Sequence, residues 1–340
     1  MKKTLIKSIL MITVILLTLC STYIYASEPV DVKTSKKASM MNGLVDVIKN
    51  NNISTIFDKN TNNENQENFT SIFDVEAEDK KIKIYFHRED CVRTLNIEEY
   101  VLGVLAAEMS SSRHEEALKA QAVAIRTLCY YYSENPKKHP DGAVLCTDSG
   151  HCQSWILEDY DSKYVKAVEE TEGTVIKYQG EYIISYYFCC SGGYTENFEN
   201  VWRGDEKPYL VSVPSPGEAS FNEYHKLYNF TEKNFAKLLG IKGAAFKNIS
   251  DVVRSDSGRI LTLKINGVEL TGKELRGLLG LRSTNAYFSI GSDGEILISV
   301  FGYGHGVGMS QCGAEAMART GSDYIEILTH YYTNVTIGIA

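Results

Sequence analysis

Residues Glu98 to Ser133 read EEYVLGVLAAEMSSSRHEEALKAQAVAIRTLCYYYS, two helical patterns broken by the polar turn Ser110-Ser111-Ser112. Apolar residues recur at Ile97, Val101, Val104 and Leu105, the spacing of one helix face. One more step along that face lands on Glu108, at the end of the stripe and beside the turn. A carboxyl group buried there without a cation has its pKa raised by desolvation, which makes a general acid usable near neutral pH. A glutamate that simply reaches solvent from a helix end has the same pattern. The second helix, His114–Tyr132, is rich in small side chains (Ala117, Ala120, Ala122, Ala124), which let a neighbouring helix approach closely. Gln121 and Arg126 project from it. An antiparallel pairing of the two helices would bring Arg126 to Glu108, where it could bind substrate or tune the acid; a solvated arginine is the plainer alternative.

Outward from this pair, KIKIYFH alternates as a strand from about Lys80. On the other side lies a Pro/Gly/Asp-rich loop, SENPKKHPDGAVLCTDSGHCQSW, then a helical stretch at Asp161–Glu170 and strands at Thr174–Tyr178 and Tyr182–Cys189. Residues 222–289 read as a small inserted subdomain, with a helix at Thr231–Leu239, a strand at Ile260–Ile265, a tight turn at Asn266-Gly267 and a helix at Gly272–Leu279. A strand at Glu295–Phe301 leads to the Gly-rich loop GYGHGVGMSQCGAEAMART, which opens a helix. Helices and strands are interspersed without a regular βα alternation, so the fold class is α+β: a mixed catalytic core with a smaller inserted α+β subdomain.

The chain of 340 residues opens with Lys2, Lys3 and Lys7 before an apolar run from about Ile9 to Tyr25. Residues 1–27 are a signal segment or a membrane anchor, and bulky Ile24 at the would-be cleavage site favours the uncleaved anchor. Residues 28–79 are Asn-rich and aperiodic, a tether between membrane and body; residues 80–340 form the body. The formal net charge of -8 gives no electrostatic footing for nucleic acid. Seven cysteines follow the apolar segment (Cys91, Cys129, Cys146, Cys152, Cys189, Cys190, Cys312), an odd number that fits a complete disulfide framework poorly in an exported protein.

Four of the soft ligands fall in one loop: His139, Cys146, His151 and Cys152. Thiolate and imidazole together suit Zn2+. Cys146 and Cys152 are the leading ligands and His139 the third, because the adjacency of His151 and Cys152 makes joint ligation awkward and frees His151 to face the active site. Buried free thiols, or a strained Cys146–Cys152 disulfide, are the alternatives. Three protein ligands would leave a position for water or for Glu108. Further on, Gly302 to Gly308 carries glycine at alternating positions, which is not a dinucleotide fingerprint, and leaves His305 little shielded from a ligand.

Five ordered motifs, EEYVLGVLAAEM, EALKAQAVAIRT, SGGYTENFENVW with PYLVSV, LRST and GYGHGVGMSQCGA, resemble the SpoIID/LytB family of endospore formers from about Lys80 to the C-terminus. The resemblance implies a lytic transglycosylase. Such an enzyme cleaves the β-1,4 bond between N-acetylmuramic acid and N-acetylglucosamine and leaves a 1,6-anhydro end, acting on strands already stripped of stem peptides. It implies stage II sporulation proteins P (an amidase) and M as partners in forespore engulfment. It also implies a single-pass anchor in the cell membrane, with the body outside, on the mother-cell membrane facing the forespore. The family's catalytic Glu falls on Glu108, its motif Arg on Arg126 and its motif Tyr on Tyr209; His151, His305 and Gln311 would join the latter two in positioning sugar. Two positions depart from the family pattern: Val211 stands where a lysine is usual and Cys312 where a tyrosine is. Cysteine before the Gln, shared with clostridial relatives, supports zinc at Cys146 and Cys152, with a structural or cleft-shaping role. The rival readings are a zinc-dependent peptidoglycan hydrolase centred on the Cys/His loop, and a non-enzymatic glycan-binding activator of a cell-wall amidase.

Overall fold

Asn96 starts the helix pair. Its side chain accepts from the Glu98 N–H (2.8 Å) while Glu99 reaches back to the Asn96 N–H (3.1 Å), a reciprocal cap that fixes the first turn. The computed structural model describes residues 81–202, 204–241, 248–291 and 294–340; the expected anchor and tether lie outside the described residues. In chain order, strands β1 (Lys81–Phe86) and β2 (Cys91–Asn96) form a hairpin, followed by helices α1 (Ile97–Glu108) and α2 (Glu115–Glu134). Strand β3 (Leu145–Cys146) then pairs parallel with β1, which anchors the Cys/His loop to the body. Helix α3 (Ser162–Glu169) precedes β4 (Thr174–Tyr178), β5 (Glu181–Tyr182) and β6 (Tyr187–Phe188). The single strand expected over Tyr182–Cys189 is thus split in two.

Helix α2 is the hub. Ala117, Ala120, Ala122, Val123, Ala124 and Ile125 are fully buried, and α2 touches α1, α3 and β4 along its length. The middle of the helix is buried on every side, Gln121, Arg126 and Thr127 included, and its alanines allow that closeness. Each leucine or isoleucine buried in this cluster contributes about 1.5–3 kcal/mol.

A second hydrophobic cluster gathers Phe230, Phe235, Leu263, Leu275, Ile298 and Val300 among others. It is built from β7 (His225–Phe230), α4 (Glu232–Leu238), β8 (Ile249–Arg254), β9 (Ile260–Ile265), β10 (Val268–Thr271), α5 (Gly272–Leu279), β11 (Asn285–Ile290) and β12 (Ile296–Phe301). Strand β12, expected to follow the insertion, lies instead at the centre of the sheet β11-β12-β7, and its buried face (Ile296, Ile298, Val300) belongs to this cluster. The Asn266-Gly267 turn joins β9 to β10 with both residues at positive φ, the twist a two-residue hairpin needs. The chain ends with β13 (Met309–Ser310), α6 (Gln311–Arg319), α7 (Tyr324–Tyr331) and β14 (Thr336–Ile339). Strand β13 pairs parallel with β6, which lays the Gly-rich loop and the start of α6 beside the main helices. Among the described residues no helix is long and apolar enough to cross a membrane.

Candidate active site and metal cluster

One glycine on α1 sets up the site. A side-chain carbon at Gly103 would overlap the Trp155 indole, so only glycine lets that ring lie on the helix. The Ile156 N–H also donates to the Gly103 carbonyl (3.3 Å). The segment after Cys152 is thereby pinned across α1, which brings the Ser154 N–H toward the Glu108 carboxylate, whose pKa it lowers. From the opposite side Gln311, the first residue of α6, reaches Glu108: its side-chain amide donates to the Glu108 carbonyl (3.5 Å) and also lowers the carboxyl pKa. Burial raises the Glu108 pKa above its ordinary value, and these two donors pull it partly back. No cation pairs with this carboxylate in the structure's ion pairs among the described residues.

Glu108 lies in the wall of a groove of about 580 Å³, with Gln153, Ser154, Tyr187, Trp202, His305 and Gln311 among the residues around it. It is the one carboxylate in that wall among the described residues. Tyr187 is half-buried and its hydroxyl accepts from the Gln153 amide (2.7 Å); burial first, and the nearby Glu108 charge second, push its pKa well above the usual tyrosine value. The His305 ring sits among Trp202, Phe188 and Tyr186, with ring centres 4.9, 5.5 and 6.0 Å away, and its Nδ1 accepts from the Val307 N–H (3.1 Å). Burial, then the Arg259 and Arg276 charges, push its pKa down to about 3. His305 is therefore a neutral wall of the groove, not a proton carrier near neutral pH.

A buried carboxylate that sequence reading passed over holds the Gln311 side in place. Glu218 accepts from the Ser191 hydroxyl (2.6 Å), the Gly192 N–H (2.9 Å), the Ser215 hydroxyl (2.9 Å) and the Ser310 hydroxyl. Ser310 caps α6, so Glu218 fixes the start of the helix that presents Gln311. Cys312, the departure from the family pattern, is buried against Cys189 and Cys190. No disulfide joins the seven cysteines of the described residues.

Arg126 and Tyr209 are not where the sequence expectation put them. Arg126 is fully buried and grips Glu98, not Glu108, with Nε and Nη2 at 2.8 and 2.6 Å from its two carboxylate oxygens. Its Nη1 donates to the Thr174 carbonyl (3.1 Å), tying α2 to β4. The antiparallel helices do meet, but the period of α2 turns Arg126 toward the first turn of α1. Tyr209 is also buried; its hydroxyl accepts from the Ile184 N–H (3.3 Å) and its ring packs on Tyr178. Neither lines the groove.

His151 lines the groove with Glu108, as expected, and also joins the Cys/His cluster, a place the expectation gave to His139, Cys146 and Cys152 alone. The four ligand atoms of His139, Cys146, His151 and Cys152 lie within 4.8 Å of one another. His151 Nδ1 is 3.2 Å from His139 Nε2, 3.3 Å from Cys146 Sγ and 3.7 Å from Cys152 Sγ, and Cys152 Sγ is 3.5 Å from His139 Nε2. Tetrahedral ligands at zinc bond lengths are separated by about 3.3–3.8 Å, so the set fits a four-coordinate ion. Adjacency does not keep His151 and Cys152 apart, because a turn folds the segment: the Asp148 carbonyl accepts from both their N–H groups (3.0 and 2.7 Å). The cluster forms part of the groove wall through His151 and Cys152.

The SpoIID family model, described as a stage II sporulation protein, matches residues 85–178, the span from β1 through β4. A stage II sporulation protein D of Bacillus amyloliquefaciens is 34% identical over 273 residues, 76% of this chain and 79% of the relative. The chain belongs to the SpoIID family. The stage II sporulation protein D of Bacillus subtilis (strain 168) is also 34% identical, over 78% of this chain and 81% of its own length. The amidase enhancer of the same organism is 31% identical over 69% of this chain and 40% of its own length. Within this SpoIID chain, the matched span carries Glu108, Ser154 and all four residues of the Cys/His cluster.

Proposed function

We propose that this protein is a lytic transglycosylase that cleaves the β-1,4 bond between N-acetylmuramic acid and N-acetylglucosamine in peptide-stripped glycan strands, leaving 1,6-anhydro-muramyl ends. The observation that carries the reading is a single half-buried carboxylate, its pKa raised by desolvation, in a groove with no second carboxylate among the described residues. Glycoside hydrolysis ordinarily takes two carboxyl groups, as acid and base or acid and nucleophile. Attack by the muramyl 6-hydroxyl supplies the nucleophile from the substrate. Glu108 then serves alone: protonated, it gives its proton to the departing glycosidic oxygen; as carboxylate, it takes the proton from the 6-hydroxyl. The Ser154 N–H and the Gln311 amide steady the carboxylate between the two steps. The groove aromatics Trp202 and Tyr187 offer faces to pyranose rings, and holding the hydroxyl close to its target supplies part of the rate.

The cluster of His139, Cys146, His151 and Cys152 is read as a zinc site. Bound there, Zn2+ would supply cross-linking of the loop rather than an open coordination position, since four protein ligands close the shell. That weighs against the zinc hydrolase reading. In the cell, residues 1–27 would hold the body outside the cell membrane, on the mother-cell side facing the forespore, alongside stage II sporulation proteins P and M. The similarity to an amidase enhancer supports a second reading, a glycan-binding activator of an amidase. Digestion of peptide-free strands by the purified protein, with mass spectrometry of the products, separates the two: anhydro ends are expected, and an undigested strand favours the activator.

A further inference from the structure

One buried side chain joins three of the sequence motifs. Arg259 stands immediately before β9, in the part of the chain that builds the second hydrophobic cluster. Its Nη2 donates to the Ser191 carbonyl (3.0 Å), in the SGGYT motif. Its Nη1 donates to the Ser283 hydroxyl (3.2 Å), in LRST, and to the Gly304 carbonyl (3.4 Å), in the Gly-rich loop. The Gly304 N–H donates to the Arg282 carbonyl (2.9 Å), so both backbone groups of Gly304 are held from residues 259–283. A side-chain carbon at Gly306 would fall 2.6 Å from the guanidinium carbon, so the loop can lie this close to Arg259 only as glycine. Arg259 enters no ion pair among the described residues. The nearby Glu196 is engaged by Ser255 (2.5 Å), Ser257 (2.7 Å) and Asn200 (2.8 Å). Burial pushes the Arg259 pKa down to about 10, so the group is still a cation near neutral pH. A buried cation without a carboxylate partner costs stability. What it holds in place is Tyr303, Gly304 and His305, consecutive residues of the groove around Glu108.

We propose that Arg259 is a positioning residue for glycan binding: from outside the groove it holds the wall formed by Tyr303, Gly304 and His305 in the arrangement that receives the strand. The inference rests on the glycan-cleaving reading above and gives the second hydrophobic cluster a part in it. Arg259 does not line the groove itself. The planar fork of a guanidinium fixes two carbonyls from different loops at one spacing. Without that fork, a loop with glycine at every second position leaves the receiving arrangement in part of the molecules. Apparent affinity then falls by the fraction that keeps it. Glu108 and Ser154 are outside the contacts of Arg259, so proton transfer on a bound strand is affected less than binding.

The test compares the full chain with Arg259→Met, which keeps a long side chain and removes the fork, and with the milder Ser283→Ala, which removes one of its acceptors. Hydrogen exchange read by mass spectrometry should quicken over residues 302–306 in Arg259→Met and stay as in the parent over α1 and α2. On peptide-free strands KM should rise about tenfold, as for the loss of a hydrogen bond to a charged group, with kcat falling less. Ser283→Ala should move both readouts the same way by a smaller amount, and it carries the test if Arg259→Met does not fold. A folded variant with a lower melting temperature but the parent's exchange and KM would make Arg259 a brace only and overturn the proposal. So would a fall in kcat at unchanged KM. If the parent cleaves the strands and the variants bind them equally well, only the positioning role falls. If the parent neither binds nor cleaves them, the glycan-cleaving reading falls and takes the positioning role with it, whatever the exchange shows.

Discussion

Glu98 opens helix α1 and Glu108 closes it, and the fold treats the two carboxylates differently. Glu98 is buried against the Arg126 guanidinium, which spans both of its oxygens. Glu108 is partly buried against an amide, a backbone N–H and the groove, with burial as the dominant influence on its pKa. The pair at the first turn holds the helices together. The carboxyl at the last turn has its pKa raised by burial, the direction a general acid needs. The difference shows what makes a buried acid chemically useful: desolvation without a cation, at the edge of a cavity.

The comparison is most sharply tested at its two ends. Glu108→Gln should lower strand cleavage by about a hundredfold to ten-thousandfold, the usual range for a lost general acid. Its effect on stability has a definite sign. The folded pKa of Glu108 is raised, so the carboxyl's contribution to folding is fully present below its unfolded pKa and is lost as pH rises through the folded one. The variant should therefore melt above the parent at neutral pH, with the gain fading in acid; scanning calorimetry at two pH values checks this. Arg126→Leu should do the opposite: about 3–5 kcal/mol of stability lost, because Glu98 is left buried and unpaired, while activity per folded molecule persists. Chemical denaturation with parallel assays reads both, and a loss of activity without loss of stability would restore Arg126 to the substrate site. Removing metal from the Cys/His cluster with a chelator should lower the melting temperature before it lowers activity, as expected of a brace. The smallest effect belongs to Gln311→Ala. That change removes a donor that lowers the Glu108 pKa, so the alkaline fall in rate should move to higher pH.

Much of this contrast was legible in the sequence, and some was not. The apolar stripe of α1 carries through to Glu108 because helix periodicity is local, and the soft ligands of the Cys/His loop announce themselves by residue type. The partner of Arg126 was not legible: both Glu98 and Glu108 lie on α1, and the choice depends on how α2 is rotated against it, a property of packing. Tyr209 was misplaced for a related reason, since a tyrosine suits a core and a sugar site equally well. The fourth ligand was missed because local turn geometry at Asp148 overrides the spacing argument against neighbouring residues. The Ser154 N–H carries no side-chain signature at all; what places it is Gly103, whose missing side chain admits the Trp155 ring. Glu218 left only an indirect trace, in the serines Ser191, Ser215 and Ser310 that converge on it.

The central claim, one carboxylate working with the substrate's own hydroxyl, is tested most directly by cleaving peptide-free strands in heavy-oxygen water and weighing the new muramyl ends. The account predicts 1,6-anhydro ends without label, lost in Glu108→Gln. A labelled reducing end at each new terminus would contradict it, because water would then be the nucleophile and Glu108 would need a second carboxylate, which the groove lacks among the described residues.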